Sequence, residues 1–290
     1  MSSETKKILV PVGFSDQSIN ALDQAAMFAK PINAEIVLLS VVELNGLFQR
    51  VFSSDEKING IKKEVSDKLD KIAEEFEAKH GLKTTTMVAN GVVYEEIGKV
   101  AELLKVELVV MGTNGKIDNN KKKVIGSNAY RVVSAVEPPV VTVKGIDMRE
   151  EINTIIFPLV ADRRSREKVG NALHYARMFD ADIKIIAVAK SKDEAKKLLP
   201  NLQQVQKFVS DAKVACDGEL IVADKKKVHE VIFDYRKTNN GDMIIITEDG
   251  DDFKIGLGAT DVEKIIYGAE APVMSITPTH TKFANQFEGW

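Results

Sequence analysis

Three glycines and four lysines between Gly112 and Gly126 mark the part of this 290-residue chain whose residue types could do chemistry. The stretch from Val109 to Val133 reads VVMGTNGKIDNNKKKVIGSNAYRVV. Gly112, Gly115 and Gly126-Ser127 surround Lys116, Lys121, Lys122 and Lys123, and Asp118 is the single acid, which leaves a net charge of +3. Glycines let backbone N–H groups approach an anion closely, ammonium groups attract it, and a helix N-terminus at Ser127 would add further N–H donors. The chemistry on offer is phosphate binding. The alternative is a solvated surface loop, since a lysine run is usually a solvated face.

Such a loop works only if rigid elements hold its two ends. Apolar runs alternate with segments of helical period along the chain. In the first half the pattern predicts strands over 7–12, 35–42, 84–89, 107–111 and 139–143, and helices over 16–30, 56–80, 92–104 and 127–135. The run AEIVLLSVV from Ala34 is nearly all apolar, as in a strand buried on both faces of a parallel sheet. Ser15 is placed to N-cap the first helix, and Gly81 to close the second. The long second helix carries an apolar stripe of Ile58, Ile61, Val65, Leu69, Ile72 and Phe76, which suits packing on the sheet. Five strands alternating with four helices imply an α/β, doubly wound parallel sheet. Ligands of such sheets bind beyond the carboxyl ends of the strands, at the switch in strand order, and the glycine loop directly follows the fourth strand.

The chain then repeats itself. ILVPVGFSDQSINALDQAAMFAKPINAEIVLLSV from Ile8 aligns without a gap on IIFPLVADRRSREKVGNALHYARMFDADIKIIAV from Ile155. The offset of 147 pairs Pro11 with Pro158, Ala25 with Ala172, Ala29 with Ala176 and Val41 with Val188. Further on, LVVMGTNG resembles MIIITEDG from Met243, and VEPPVVTV resembles AEAPVMSI from Ala269. Two tandem domains of one fold follow, 1–147 and 148–290. Their last strands would expose pairing groups if left bare, so the two domains are expected to pair within one chain; a homo-oligomer is left open.

Neither common phosphate loop is present. The chain has no G-x-x-x-x-G-K-[ST], and no G-x-G-x-x-G follows the first strand. The pattern instead resembles the universal stress protein family over nearly the whole chain, as a tandem pair. ILVPVGFSDQSINAL is similar to that family's first strand and helix, NGVVYEEI to its third-helix entry and EPPVVTV to its last strand. The family's nucleotide binders carry Gly-x2-Gly-x9-Gly-Ser/Thr after the fourth strand. Here Gly112-Thr-Asn-Gly115 and Gly126-Ser127 match it with ten intervening residues instead of nine, and Gly13 stands where those binders usually have aspartate. The resemblance implies an adenine nucleotide, ATP or a relative with Mg2+ as an optional companion, held in the first domain. Its contacts would be Pro11, Val12, Gly13, Val41, Met111, Gly112, Gly115, Gly126, Ser127 and Asn128. Backbone near Val41 would face the adenine, and Gly115, Gly126 and Ser127 would hold the phosphates.

The second domain has lost the motif. From Thr247 to Gly258 a single lysine faces Glu248, Asp249, Asp251 and Asp252, a net charge of −3, so a polyanion drawn to the first loop is repelled by this one. His80, His174, His229 and His280 are scattered with no metal-ligand spacing, and no acid–base constellation emerges. Taken with this, the family resemblance implies a stress-response role through binding or signalling and not catalysis. A protein interaction module without nucleotide and a slow ATPase are the second and third readings. A net charge of −3 gives no general attraction to nucleic acid or to anionic membrane. Cys216 alone allows no internal disulfide, and the opening MSSETKKILVPV is too short in its apolar part for a leader or a span, so a cytoplasmic protein is expected.

Overall fold

The computed structural model describes residues 5–43, 55–113, 127–159, 165–223, 226–247 and 259–276. The chain divides into two compact units, Met1–Gly145 and Ile146–Trp290. The first unit runs β1 (Lys7–Pro11), α1 (Asp16–Ala29), β2 (Glu35–Val42), α2 (Asp55–His80), β3 (Thr84–Asn90), α3 (Val93–Leu104), β4 (Leu108–Gly112), α4 (Ser127–Ala135) and β5 (Val140–Val143). The second runs β6 (Thr154–Leu159), α5 (Ser165–Phe179), β7 (Asp182–Ala189), α6 (Lys192–Asp211), β8 (Cys216–Val222), α7 (Val228–Thr238), β9 (Met243–Thr247), α8 (Ala259–Gly268) and β10 (Val273–Ile276).

Within the first unit the strands lie in the order β3-β2-β1-β4-β5, and within the second β8-β7-β6-β9-β10. Every pairing inside a unit is parallel. The chain winds outward from β1 to β3 and then returns past β1 to β4, so the switch in strand order falls between β1 and β4. The repeat read in the sequence extends to register. Lys7 pairs with Glu35 and Thr154 with Asp182, each partner displaced by the same 147 residues.

Side-chain burial explains why these segments form strands. Ile8, Leu9 and Val10 of β1, Ile36 to Leu39 of β2 and Leu108 to Met111 of β4 are all buried, as both faces of a central parallel strand require. The outermost strands β3 and β8 are half-exposed, and each has an N–H held by a carboxylate. Thr84 donates to Glu77 Oε2 at 3.3 Å and Gly218 to Asp217 Oδ1 at 2.8 Å, which blunts these edges as pairing templates.

Helix ends follow their capping chemistry. Ser15 and Ser18 form a reciprocal capping box at the start of α1. Gly81, at φ 67°, donates its N–H to Glu77 O and closes α2. The apolar stripe of α2 is half-buried at Ile58, Ile61 and Val65 and fully buried at Leu69 and Phe76, where the helix lies on β3.

The start of the second unit is fastened by charge. Arg236 of α7, 7% exposed, donates through Nε to Gly241 O at 2.7 Å and through Nη2 to Asp147 Oδ2. Arg149 bridges Asp147 at 2.7 Å and Asp242 at 2.9 Å, and Asp242 Oδ2 accepts the N–H groups of Asn153 and Thr154. Partial burial pushes the Asp147 carboxyl up, but the hydrogen bonds from Arg236 and Arg149 outweigh it and hold its pKa below the ordinary carboxylate value. A depressed carboxylate stabilises the fold fully above its unfolded pKa of about 3.9, and that contribution is lost as pH falls through the lower folded value. Asp147→Asn is expected to cost about 1–2 kcal/mol near pH 7 in urea melts, with the gap to wild type closing toward pH 3 and below. A gap that stays constant across that acid range would contradict the linkage.

Candidate functional site at the carboxyl ends of the first sheet

Three adjacent strands bring six of the ten expected site residues together. The β1–β4 register pairs Ile8 with Leu108 and Leu9 with Val109, which continues to set Pro11 level with Met111 and Val12 with Gly112. On the other side Pro11 pairs with Leu39, so Gly13 falls level with Val41 near the end of β2. Val12 is buried and its N–H still donates to Leu39 O at 2.8 Å, so the ladder runs past the strand end. Pro11, Val12, Gly13, Val41, Met111 and Gly112 thus gather at the carboxyl rim beside the switch point. Ser127 opens α4 and Asn128 is its second residue, half-buried. Gly115 and Gly126 lie outside the described residues, as does the acidic stretch from Glu248.

The two rim glycines have opposite surroundings. A Cβ at Gly13 would meet nothing within 4 Å, and the residue is not in the left-handed region, so the backbone would accept a side chain there. A Cβ at Gly112 would fall 2.8 Å from Gln17 O, 2.9 Å from Gln17 C and 3.1 Å from Ser18 N. The first turn of α1 therefore lies directly against the end of β4. Small residues on the inner face of the helix, Ala21, Ala25 and Ala29, let it settle that close. In the second unit Thr247 fills the place of Gly112 at the end of β9. Helix α5 packs mainly on β6, β7 and α6.

Polar pairs join the helices that flank each rim. In the first unit the Arg131 guanidinium of α4 lies over the Tyr94 ring of α3, 5.4 Å from its centroid. In the second, His229 Nδ1 of α7 meets Asp261 Oδ1 of α8 at 2.8 Å, with the imidazole 8% exposed and edge-on to Phe233. Along the offset of 133 that relates β5 to β10, Asp261 occupies the place of Asn128. The sequence treats His229 as isolated because its partner lies 32 residues away. Alignment of the two repeats through this helix is the signal that would have put a carboxylate on the second rim.

Other reactive side chains sit away from these rims. A cavity of about 580 Å³ lies between β8 and α7 in the second unit, lined in part by Glu219, Val222, Val231, Asp234 and Tyr235. Burial, followed by the charges of Glu219 and Asp217, pushes the Tyr235 hydroxyl up to about 12, and burial pushes the Cys216 thiol up to about 11, which leaves it a poor nucleophile. Among the described residues no group of three or more His, Cys, Asp or Glu gathers to hold a metal, and no helix is long and apolar enough to cross a membrane.

Residues 4–144 match the model of the universal stress protein family. Universal stress protein MJ0531 of Methanocaldococcus jannaschii is 36% identical over 146 residues, covering 48% of this chain and 82% of that protein. Universal stress protein MJ0577 of the same organism is 31% identical over 160 residues, covering 50% of this chain and 98% of its own. Universal stress protein YxiE of Bacillus subtilis is 34% identical over 146 residues, with 48% and 98% covered. The crystal structure of a universal stress protein from Archaeoglobus fulgidus covers 93% of this chain and 96% of its own at a TM-score of 0.75 and 20% identity, a likeness of fold. The chain belongs to the universal stress protein family.

Proposed function

We propose that the first unit binds an adenine nucleotide, ATP or a close relative, and that the protein serves a stress response by binding and not by turnover. The observation that carries this reading is the meeting of Pro11-Val12-Gly13 and Met111-Gly112 on adjacent strands at the switch point. The next segment of the sequence carries a net +3 between β4 and the N-terminus of α4. In this reading the β1–β2 rim near Val41 faces the base. Gly115, Gly126, Ser127 and Asn128 offer N–H groups to the phosphates, and Mg2+ enters only as the nucleotide's own counter-ion. Thr247 in place of Gly112, Asp261 in place of Asn128 and a net −3 after β9 support a second unit without nucleotide.

Mass analysis of small molecules released from the denatured, purified protein tests the proposal, followed by calorimetry with ATP. One adenine nucleotide per chain is expected. A protein that releases none and gives no heat with millimolar ATP would be an interaction module instead, and steady conversion to ADP would make it a slow ATPase.

Gly13 gives a gain-of-function test. The open space around its Cβ and its ordinary backbone admit Asp without strain. A charged hydrogen bond is worth roughly 1.5–3 kcal/mol, so Gly13→Asp is expected to tighten ATP binding about tenfold to a hundredfold. Unchanged affinity with the fold intact would show that a carboxylate is not what this rim lacks.

We also propose that the two units pair within one chain. Sedimentation of separately expressed halves, alone and mixed, is expected to give a stable complex; halves that stay monomeric at high concentration would overturn the pairing.

A further inference from the structure

We propose that Phe14 is the aromatic wall against which the base of the bound nucleotide packs, an inference that rests on the nucleotide reading of the first unit. Six described residues other than glycine have positive φ: Phe14 at 57°, Asn33, Lys105, Asp180, Lys213 and Asn240. The last five are polar and each stands one to four residues after the end of a helix, where the left-handed conformation turns the chain and lets its N–H return to a nearby carbonyl. Asn33 donates to Lys30 O, Lys105 to Glu102 O and Lys213 to Ser210 O.

Phe14 is different in kind and in place. It stands before a helix, between Gly13 and the Ser15 cap of α1, and it is the only aromatic of the six. The left-handed region is disfavoured for any residue with a Cβ and most of all for a bulky one. Glycine or asparagine would make the same turn with less strain. Burial does not compensate, because Phe14 is 40% exposed. A sequence shaped by stability alone would not keep a large ring here. Strain of this sort gathers at ligand sites, where a contact made only in the complex explains it.

The location names the contact. Phe14 follows Gly13, which lies level with Val41 at the ends of β1 and β2, and a Cβ built at Gly13 would meet no atom within 4 Å beyond its own chain neighbours. A flat heteroaromatic base held at these strand ends would lie beside the residue that carries a partly exposed phenyl ring. Base–aromatic stacking is strong enough to matter and tolerant of base identity. Phe14 therefore sets affinity for the base, and the phosphates are held elsewhere.

Two variants of the full-length protein test this. Phe14→Gly relieves the backbone, so its melting temperature should equal or exceed that of wild type, while its ATP affinity falls roughly tenfold to a hundredfold. Tripolyphosphate, measured by competition against labelled ATP, should lose no more than about twofold. Phe14→Trp should keep ATP affinity and report the base directly, with indole emission quenched by ATP and not by tripolyphosphate. Wild-type ATP affinity in Phe14→Gly would overturn the inference while leaving the nucleotide reading standing. A lower melting temperature together with equal losses for both ligands would also overturn it and assign Phe14 a structural role. A wild-type protein that binds no ATP would remove the parent reading and this one together.

Discussion

Gly126→Val is expected to abolish ATP binding, with a loss of at least a hundredfold in calorimetry and no change in the melting of the protein. Gly126 immediately precedes Ser127, the first residue of α4. A helix N-terminus binds anions through its unpaired N–H groups, and only a residue without a side chain lets a phosphate oxygen come within hydrogen-bond distance of that backbone. A β-branched residue would shield the N–H groups and strain any left-handed turn. The four lysines would remain, but exposed ammonium groups attract a polyanion without fixing it, and that attraction weakens as salt rises. Gly258→Val, directly before α8, should leave binding unchanged because the second loop repels polyanions. Two equivalent sites per chain, or full binding by the Gly126 variant, would defeat the assignment.

Gly112→Val is expected to destabilise the first unit by about 3 kcal/mol, read as a fall of roughly 6–12 °C in its melting temperature. The cause is packing and not phosphate chemistry. The added Cβ would overlap Gln17 O at 2.8 Å, and both contacting groups are backbone, which cannot rotate away as a side chain would. The first turn of α1 must lift from β4, and with it the capping box and the rim that holds Gly13 and Phe14. ATP affinity should fall as well, so a melt without ligand separates the two effects. Thr247→Gly in the second unit, where the strand end already carries a side chain, should change stability by less than about 1 kcal/mol. Equal destabilisation by both changes would mean that the contact with α1 is not what Gly112 provides.

Much of the fold was legible because its signals are local or repeated. Strands over 7–12, 35–42, 84–89, 107–111 and 139–143 anticipate β1 to β5 within a residue or two at each end. A both-faces-buried strand must be apolar throughout, and AEIVLLSVV says so without any partner in view. The sequence repeat was equally informative, since an ungapped offset of 147 over strand, helix and strand leaves little choice but a shared register, and Lys7–Glu35 and Thr154–Asp182 have it. The site was legible as a place more than as a set of contacts. The rule that parallel sheets bind ligands at the switch point put the glycine loop on that rim, and the family resemblance, not the rule, supplied Pro11, Val41 and Met111 as its neighbours.

Sequence by itself therefore determined the two α/β units, the rim and the opposite charges of the two loops, because periodicity, repetition and composition are properties of neighbours along the chain. Tertiary structure alone decided which distant segments each of these residues packs against. Gly112 reads in the sequence as a phosphate-loop glycine, yet its missing side chain makes room for Gln17, 95 residues earlier, because α1 comes to rest on β4. His229 reads as solitary until α7 and α8 pack and bring it to Asp261. Arg236 reaches Asp147 across 89 residues in the same way. Phe14 carries no sequence mark of strain; its left-handed backbone follows from joining a buried strand to a capped helix within four residues. Each of these depends on which surfaces meet after the chain has wound around its sheet, and that is settled by packing between distant segments, not by the residues on either side.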